Sequence, residues 1–335
     1  DATYSGDVDF GPESVWGLDY YFESMARFFD RWLKDESTGV DDEPPVRLFV
    51  MGGGSGCKTP DGKLDHAGRW RTEHEWPLAR TQPTPYYFHR DGGLNTAMPD
   101  EDSSPLQYLY DPEHPVPTLG GNHCGIMDLP SYEAKLDPLW HRYLEPVPRL
   151  QNIVALGPMH QKESPDVFGA EPPYPLLADR ADVLVFQTAP LAEAIEVTGA
   201  AVVTLWISSS ATDTDFTAKL IDVHPPNEDY PDGYHMNLVD SIIRTRYRDS
   251  WEEETLMTPG EVYRVLIQLP PTSNLFTAGH RIRIDISSSN FPRLDLNPNT
   301  GEPVGRHTHM VEADNTVHTG ADNPSRIILP IIPAE

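Results

Sequence analysis

The sequence of 335 residues has little cysteine, few basic residues and no long apolar run. Its two cysteines, Cys57 and Cys124, are too few for a disulfide framework. Lys and Arg number 25 against 52 Asp and Glu, and the net charge of −27 argues against binding to nucleic acid or anionic membranes. No apolar stretch reaches the roughly 18 residues that a membrane-spanning helix needs. We therefore expect a soluble chain with neither a nucleic-acid nor a membrane partner.

A serine nucleophile with its usual surroundings is also missing. In the strained turn that carries the serine of many hydrolases, glycine is needed two positions before and two positions after it. Ser55 has Gly53 before it, but Cys57 stands at the second position. The 13 histidines form no pattern that matches a complete triad. We predict no catalytic residue within this chain.

Patterns for metal binding are weak. His307 and His309 could present two imidazoles on one side of a strand, but no third ligand follows at a motif spacing. Asp213 and Asp215 lack the glycine-hinged acidic loop of a calcium site, and we interpret them as facing solvent or fixing a turn. No metal site and no cofactor are predicted.

An apolar helix is the first clear feature that the sequence contains. Residues such as Phe22, Phe28 and Trp32 recur at helical spacing and predict a helix over residues 12–35, which Gly39 would end. A helix this apolar needs a large partner surface, yet only one short hydrophobic strand, at 46–51, follows it. We interpret the segment as the end of a domain whose body precedes residue 1.

From about residue 84 the pattern changes to short strands separated by turns. The 34 prolines exclude an all-helical protein. Residues 281–287 alternate strictly between apolar and polar side chains, which predicts a strand with one buried and one solvated face. Strands are predicted at 86–88, 106–110, 183–187, 194–198, 200–208, 215–223, 235–247, 261–269, 281–288 and 326–332. Many short strands without helices between them indicate a β-sandwich, most commonly a jelly roll.

Three stretches have poor periodicity. Residues 52–68 predict a glycine-rich loop, and residues 69–80 predict an irregular linker. Residues 120–180 are rich in proline and read as one long loop. Loops of this length are usually functional or pass over a neighbouring part of the protein.

Several segments resemble the hydrolase family that includes cocaine esterases and X-Pro dipeptidyl-peptidases. They are FFDRWLKDESTGVDDEPPVRLFVMG (28–52), WRTEHEWPLART (70–81), YLYDPEHPVPTLGG (108–121), SSSATDTDFTAKLIDVHP (208–225) and SNLFTAGHRIRIDISSSNFPRLDLNPNTG (273–301). The resemblance covers nearly the whole chain in order. It implies an α/β-hydrolase domain with a Ser-Asp-His triad, an inserted helical cap and a C-terminal jelly-roll domain.

The resemblance also implies how the chain is divided. The family's catalytic histidine lies shortly before the helix that corresponds here to residues 12–35, so none of the three triad residues maps onto this sequence. Residues 1–80 would be the last helix and strand of an α/β-hydrolase domain with a linker. Residues 81–335 would be a jelly roll of the galactose-binding-like class. The overall expectation is a mainly β chain, the C-terminal part of a serine ester or amide hydrolase and inactive alone.

The partners and the pocket follow from the same resemblance. The partners would be the upstream hydrolase segment, in the same or a separate chain, and a small ester or amide substrate, with a homo-oligomer possible. In the family, the loop after the PVPxLGG turn reaches the mouth of the active site. Here it begins with Asn122, His123 and Cys124, which are therefore candidates for lining the substrate pocket, although this segment could equally be a plain surface turn. A jelly-roll module that binds carbohydrate or another small ligand without catalysis is the alternative function.

Overall fold

A computed structural model of the protein describes residues 2–100, 104–122 and 154–333. This part contains one α-helix, α1 (Leu18–Lys34), and eighteen strands. The strands are β1 (Tyr4–Ser5), β2 (Val8–Asp9), β3 (Val46–Met51), β4 (Leu64–Asp65), β5 (Gly68–Glu73), β6 (Gln82–Phe88), β7 (Leu94–Asn95), β8 (Leu106–Tyr110), β9 (Leu184–Gln187), β10 (Ile195–Gly199), β11 (Val202–Ser209), β12 (Asp215–His224), β13 (Tyr234–Arg244), β14 (Tyr263–Gln268), β15 (Thr272–Phe276), β16 (Arg281–Ser287), β17 (Ala313–His318) and β18 (Arg326–Ile332). No helix among the described residues is long and apolar enough to span a membrane.

The strands form a β-sandwich. One sheet has four antiparallel strands in the order β13-β12-β16-β9. The other follows the path β5-β3-β15-β10-β18-β11-β17-β8, with β14 beside β11 and β6 beside both β18 and β7. One continuous apolar core contains side chains of both sheets, and the rings of Phe88 and Phe186 stack across it at 4.3 Å. The prediction of a mainly β fold built on a β-sandwich is confirmed.

The face of the four-stranded sheet that points away from this core is buried as well. The expectation that β16 has a solvated face is therefore wrong. Arg283 is only 1% exposed and forms an ion pair of 2.8 Å with Asp285 on the same face. On the neighbouring strand β12, the buried Lys219 donates a hydrogen bond of 2.7 Å to Gln161.

Parts of the proline-rich region provide the cover for this outer face. Val116, Leu119, Leu177 and Val183 form a second, small apolar cluster against Val185 of β9. Hydrogen bonds from the backbone of this region to β13 and to the turn after β16 fix it in place. In its described parts, the long loop passes over a neighbouring sheet, which is one of the two roles expected for it. Strict alternation predicted which side chains share a face, but it could not predict that a loop covers the polar face.

The helix is shorter than its predicted range. Residues Pro12–Ser14 form a separate 3₁₀ turn, and α1 begins only after Gly17. The helix ends at Asp35, which adopts a left-handed conformation (φ 58°) and donates its N–H to the carbonyl of Asp30. Gly39 opens a second 3₁₀ turn instead of ending the helix.

Seven strands occur where none is predicted: the two-residue strands β1, β2, β4 and β7, and the longer strands β5, β15 and β17. β15 and β17 contain asparagine, serine or aspartate, which are poor strand formers, but Asn274 and Asn315 are buried and make hydrogen bonds inside the sandwich. Strand β5 replaces half of the predicted linker at 69–80 and pairs with β3, which in turn pairs with β15 in the larger sheet. The domain boundary at residue 80 stays a prediction.

Candidate functional site

The described side chains of helix α1 and the turn before it present an unusually apolar surface. We call this surface the aromatic face. Its members are between 37% and 77% exposed, and they are Trp16, Tyr20, Tyr21, Phe22, Met25, Phe28, Phe29, Trp32 and Leu33. Soluble domains rarely expose a contiguous apolar patch of this kind unless another surface covers it. The aromatic face is therefore a candidate interface.

The charged side of the same helix faces the protein. Arg27 donates to the carbonyl of Thr38 (3.2 Å) and forms an ion pair with Glu43, while Arg31 is paired with Asp41. These contacts attach the helix to the segment that follows it. Two arginines of the helix therefore contact the segment that follows it, while the aromatic rings lie outward.

A pocket of about 570 Å³ lies between the N-terminal strands and β13. Most of its lining is apolar, and the side chains include those of Phe10, Met51, Leu156, Met236 and Leu238. This volume and this lining are typical of pockets that hold a small organic ligand.

Asn122 lies at this pocket and is held in place by two further residues. Its Oδ1 accepts a hydrogen bond of 3.3 Å from Arg293, and the same guanidinium is paired with Asp240 of β13. The other two pocket candidates, His123 and Cys124, lie outside the described residues. The role of all three in a substrate pocket stays a prediction.

The backbone beside Asn122 requires glycine. Gly121 and Gly157 form an antiparallel bridge with N–H···O distances of 2.8 and 3.1 Å. A Cβ atom on Gly157, whose φ is 77°, would lie 2.3 Å from the hydroxyl of Ser5. The close approach therefore excludes any larger residue. It joins the N-terminal segment to the base of the loop that begins with Asn122.

The predicted weak metal motifs do not form sites. His307 and His309 are exposed. Asp213 and Asp215 are buried, so they do not face solvent, and they are paired with Arg246 and Arg244 respectively. Asp213 does fix a turn, since its Oδ1 accepts the backbone N–H of Arg246 in the 3₁₀ turn Thr245–Tyr247. Desolvation raises the pKa of Asp215 despite the pairing.

Another group of side chains could hold a metal ion. His66, Asp222 and His224 are buried together, and one potential ligand atom from each lies within 4.8 Å of the others. Spacing along the sequence gave no sign of this group, since His66 and the other two come from distant segments.

An Asp–His pair of the kind that activates a nucleophile also occurs inside the sandwich. Nδ1 of His280 lies 2.7 Å from Asp222 Oδ1. Within the described ranges, no serine, threonine or cysteine side chain is hydrogen-bonded to His280, and Asp222 has no exposed surface. The pair therefore has the wrong surroundings for attack on a substrate.

The described structure thus comprises a β-sandwich, a helix with an exposed aromatic face and a mainly apolar pocket beside Asn122. Residues 38–328 match the family model of the X-Pro dipeptidyl-peptidase C-terminal non-catalytic domain. The chain belongs to this family.

Individual relatives agree with that assignment. The chain is 36% identical over 338 residues to a cocaine esterase of Rhodococcus sp. (strain MB1 Bresler), covering 98% of this chain and 49% of the relative. It is 28% identical to a putative serine esterase of Mycobacterium bovis, covering 92% of this chain and 40% of that protein. The chain therefore spans half or less of the length of these curated relatives.

Solved structures with the same fold include two hydrolases. An aminopeptidase from a marine sediment archaeon (Thaumarchaeota archaeon) superposes with a TM-score of 0.69 at 28% identity, over 99% of this chain and 47% of that one. An α-amino acid ester hydrolase superposes with a TM-score of 0.65 at 26% identity, over 92% and 44% of the two chains. Homology thus places the chain with the non-catalytic C-terminal domains of a hydrolase family.

Proposed function

We propose that this chain is the non-catalytic C-terminal part of a serine ester or amide hydrolase, with a Ser-Asp-His triad in polypeptide upstream of Asp1. The aromatic face is the observation that carries the proposal. Its occupant is the α/β-hydrolase domain, in the same chain or in a separate one. The relatives support this occupant because each is about twice as long as the stretch that matches.

The chemistry would be acyl transfer in the absent domain. A serine hydroxyl attacks the carbonyl carbon while a histidine accepts its proton, and the histidine gives that proton to the alcohol or amine that leaves as the ester or amide bond breaks. Water then hydrolyses the acyl-enzyme by the same route, and an aspartate orients the imidazole throughout. The present chain would contribute a rigid support. Covering a half-exposed aromatic ring stabilises an interface by about 1 kcal/mol, so an aromatic face of this size can hold two domains together.

The first experiment tests the location of the triad. The chain expressed with its native upstream polypeptide should hydrolyse a p-nitrophenyl ester, and a serine-directed phosphonate should abolish that activity. The chain alone should give no turnover above the buffer rate. Turnover by the chain alone, or its absence with the upstream part present, would contradict the proposal.

The second experiment tests the aromatic face as the interface. In the active protein, the double substitution Phe28→Glu and Trp32→Glu places two charges on the face, and we expect activity and the cooperativity of thermal unfolding to fall together. The matched control is Leu266→Glu on β14, which is 51% exposed and far along the sequence from the helix. Equal effects of the two variants would show that α1 carries no interface.

We propose further that the pocket beside Asn122 shapes the acyl-binding site, with His123 and Cys124 continuing its wall. Two features support this role. The lining is mainly apolar, and Arg293 fixes the position of Asn122 at it. Ser5 and Phe10, near the start of the chain, line the same pocket.

This role predicts a change in acyl selectivity. In the active protein, Met236→Phe should reduce the pocket volume and lower kcat/KM for a long acyl ester relative to the acetate by about tenfold, since each methylene is worth roughly 1–3 kcal/mol in an apolar pocket. Met98→Phe is the control because Met98 is exposed and does not line the pocket. An unchanged ratio in Met236→Phe would contradict the assignment.

A further inference from the structure

A buried polar cluster connects the N-terminal strands to the four-stranded sheet. His66 directly follows β4, while Asp222 and His224 end strand β12 and point to the same side of it. The three side chains belong to residues that are 1%, 0% and 3% exposed. One potential ligand atom from each lies within 4.8 Å of the other two.

Neighbouring hydrogen bonds fix which atoms of the cluster are free. Asn274 donates through Nδ2 to Asp222 Oδ2 (3.0 Å), so its Oδ1 is the acceptor that faces His66 Nε2 at 2.8 Å. His66 must therefore carry its hydrogen on Nε2, which leaves a lone pair on Nδ1. Histidines that bind metals usually donate their other N–H to such an oxygen. The other oxygen of Asp222, Oδ1, is hydrogen-bonded to Nδ1 of His280.

Three ring nitrogens in the cluster have no hydrogen-bond partner among the described residues. They are Nδ1 of His66 and both Nδ1 and Nε2 of His224. Leaving a buried polar atom without a partner costs about 1–3 kcal/mol. Nothing in the proposed hydrolase function uses these atoms, so their arrangement calls for a separate explanation.

We propose that His66, Asp222 and His224 bind one divalent transition metal ion of the zinc class. Two imidazole nitrogens and one carboxylate oxygen are a ligand set that such ions prefer, whereas calcium and magnesium prefer oxygen alone. Bonds of about 2.0–2.1 Å place the ligand atoms of a tetrahedral ion roughly 3.3 Å apart. Side-chain adjustments that move these atoms closer by about 1.5 Å at most would bring the three side chains to three of the four positions of a tetrahedral ion.

The role of the site would be to hold two parts of the fold together. β4 belongs to the three-stranded sheet with β1 and β2, whereas β12 lies at the centre of the sandwich. An ion shared by His66 and β12 would link the N-terminal strands, and with them the pocket, to the rigid sheet. Binding to the folded state alone raises stability by mass action.

The first test uses the full 335-residue chain with three exposed potential ligands, Cys57, His307 and His309, replaced. In a background of Cys57→Ser, His307→Gln and His309→Gln, the chain is stripped with a chelator and titrated with Zn²⁺ by calorimetry. We expect one equivalent to bind with a Kd of micromolar or below and to raise Tm. Failure to bind a stoichiometric ion in this background would overturn the proposal.

The second test identifies the ligands. In the same background, His66→Gln and His224→Gln should each weaken Zn²⁺ binding at least 100-fold. His318→Gln, which changes a half-buried histidine of β17 outside the cluster, should leave it unchanged. Equal affinities in all three variants would contradict the assignment. If a ligand variant fails to fold, Co²⁺ bound to the parent chain decides, because visible d–d absorption of a tetrahedral nitrogen–oxygen site is expected and an octahedral spectrum would refute it.

Discussion

Helix α1 and strand β12 reverse the usual distribution of polar and apolar side chains. The helix exposes large rings such as Phe22 (61%) and Trp32 (59%), while its arginines contact the protein. Strand β12 is buried along all ten residues, including Lys219 and Asp222. Both elements have clear local patterns. The comparison shows that periodicity reveals which side chains share a face, whereas the neighbouring chain decides which face is buried.

The two elements also differ in what their unusual side chains cost. A buried lysine or aspartate is tolerated only when it finds partners, and Lys219 has Gln161 as acceptor with Asp240 and Asp285 nearby. Burial lowers the pKa of Lys219, and the two carboxylates oppose that effect. An exposed ring carries no such penalty, but it contributes the free energy of apolar burial only when a partner covers it. Among the described residues, Lys219 and Asp222 of β12 therefore have partners, whereas the rings of the helix are exposed.

The largest expected difference is between the core of the sandwich and the helix when a charge is placed in each. Ile284→Asp on β16 buries an unpaired carboxylate in the core and should lower the free energy of unfolding by about 4–5 kcal/mol. Phe28→Asp on α1 should lower it by only about 1 kcal/mol in the isolated chain, because that ring is already half exposed. Urea denaturation of both variants measures the difference. Similar losses in both would mean that the aromatic face is already covered.

The second effect is a loss of stability in acid from histidines under the covering loop. Nδ1 of His160 accepts the N–H of His235 (3.0 Å), and Nδ1 of His235 accepts from Arg283 (2.8 Å). Burial lowers the pKa of His160 to about 4 and that of His235 to about 3, from an ordinary value of 6.5.

Because these folded-state pKa values are depressed, the stabilisation is complete above pH 6.5. It is lost as the pH falls from 6.5 towards 4, where the unfolded chain binds more protons. The loss should be on the order of 3 kcal/mol for each of the two histidines by pH 4. The slope of the free energy of unfolding against pH gives the number of protons taken up on unfolding. In His235→Gln this number should be smaller by about one than in the parent protein. A parallel decline in both proteins would contradict the burial of a neutral His235.

The third effect concerns the buried polar face itself. Lys219→Ala leaves Gln161 without its donor and removes the charge beside Asp240 and Asp285, so we expect a loss of about 2 kcal/mol. Lys219→Met keeps most of the volume of the side chain and should cost less. Thermal unfolding of both variants separates the polar contribution from the packing contribution. A larger loss of stability in Lys219→Met than in Lys219→Ala would contradict the expectation that keeping the side-chain volume reduces the loss.

The smallest effect on stability is expected from a substitution on the aromatic face of the helix. The same substitution should clearly change self-association. The isolated chain should self-associate through the aromatic face at high concentration, since no described part of the chain covers it. Leu33→Asp, at a residue 77% exposed, should shift sedimentation towards the monomer while changing Tm by less than about 2 °C. A monomeric parent chain at all concentrations would contradict this expectation.

Much of the fold could be predicted from local patterns. All ten strands predicted after residue 84 coincide with strands to within a few residues, because alternation is a local property. β15 and β17 escaped prediction because their asparagines are stabilised by partners such as Asp222 and Ser288, which are distant in sequence. Of the pocket candidates, Asn122 could be placed at a pocket, while His123 and Cys124 stay predictions.

The sequence by itself determined the strand pattern, the aromatic stripe of α1 and the need for a partner, because each depends on side chains a few positions apart. Only the tertiary structure decided that the polar face of the four-stranded sheet is covered and that His66 meets Asp222 and His224. Those outcomes depend on chain segments that come together only after folding. A polar atom pays a desolvation cost, and needs a hydrogen-bond partner, only once these segments have buried it.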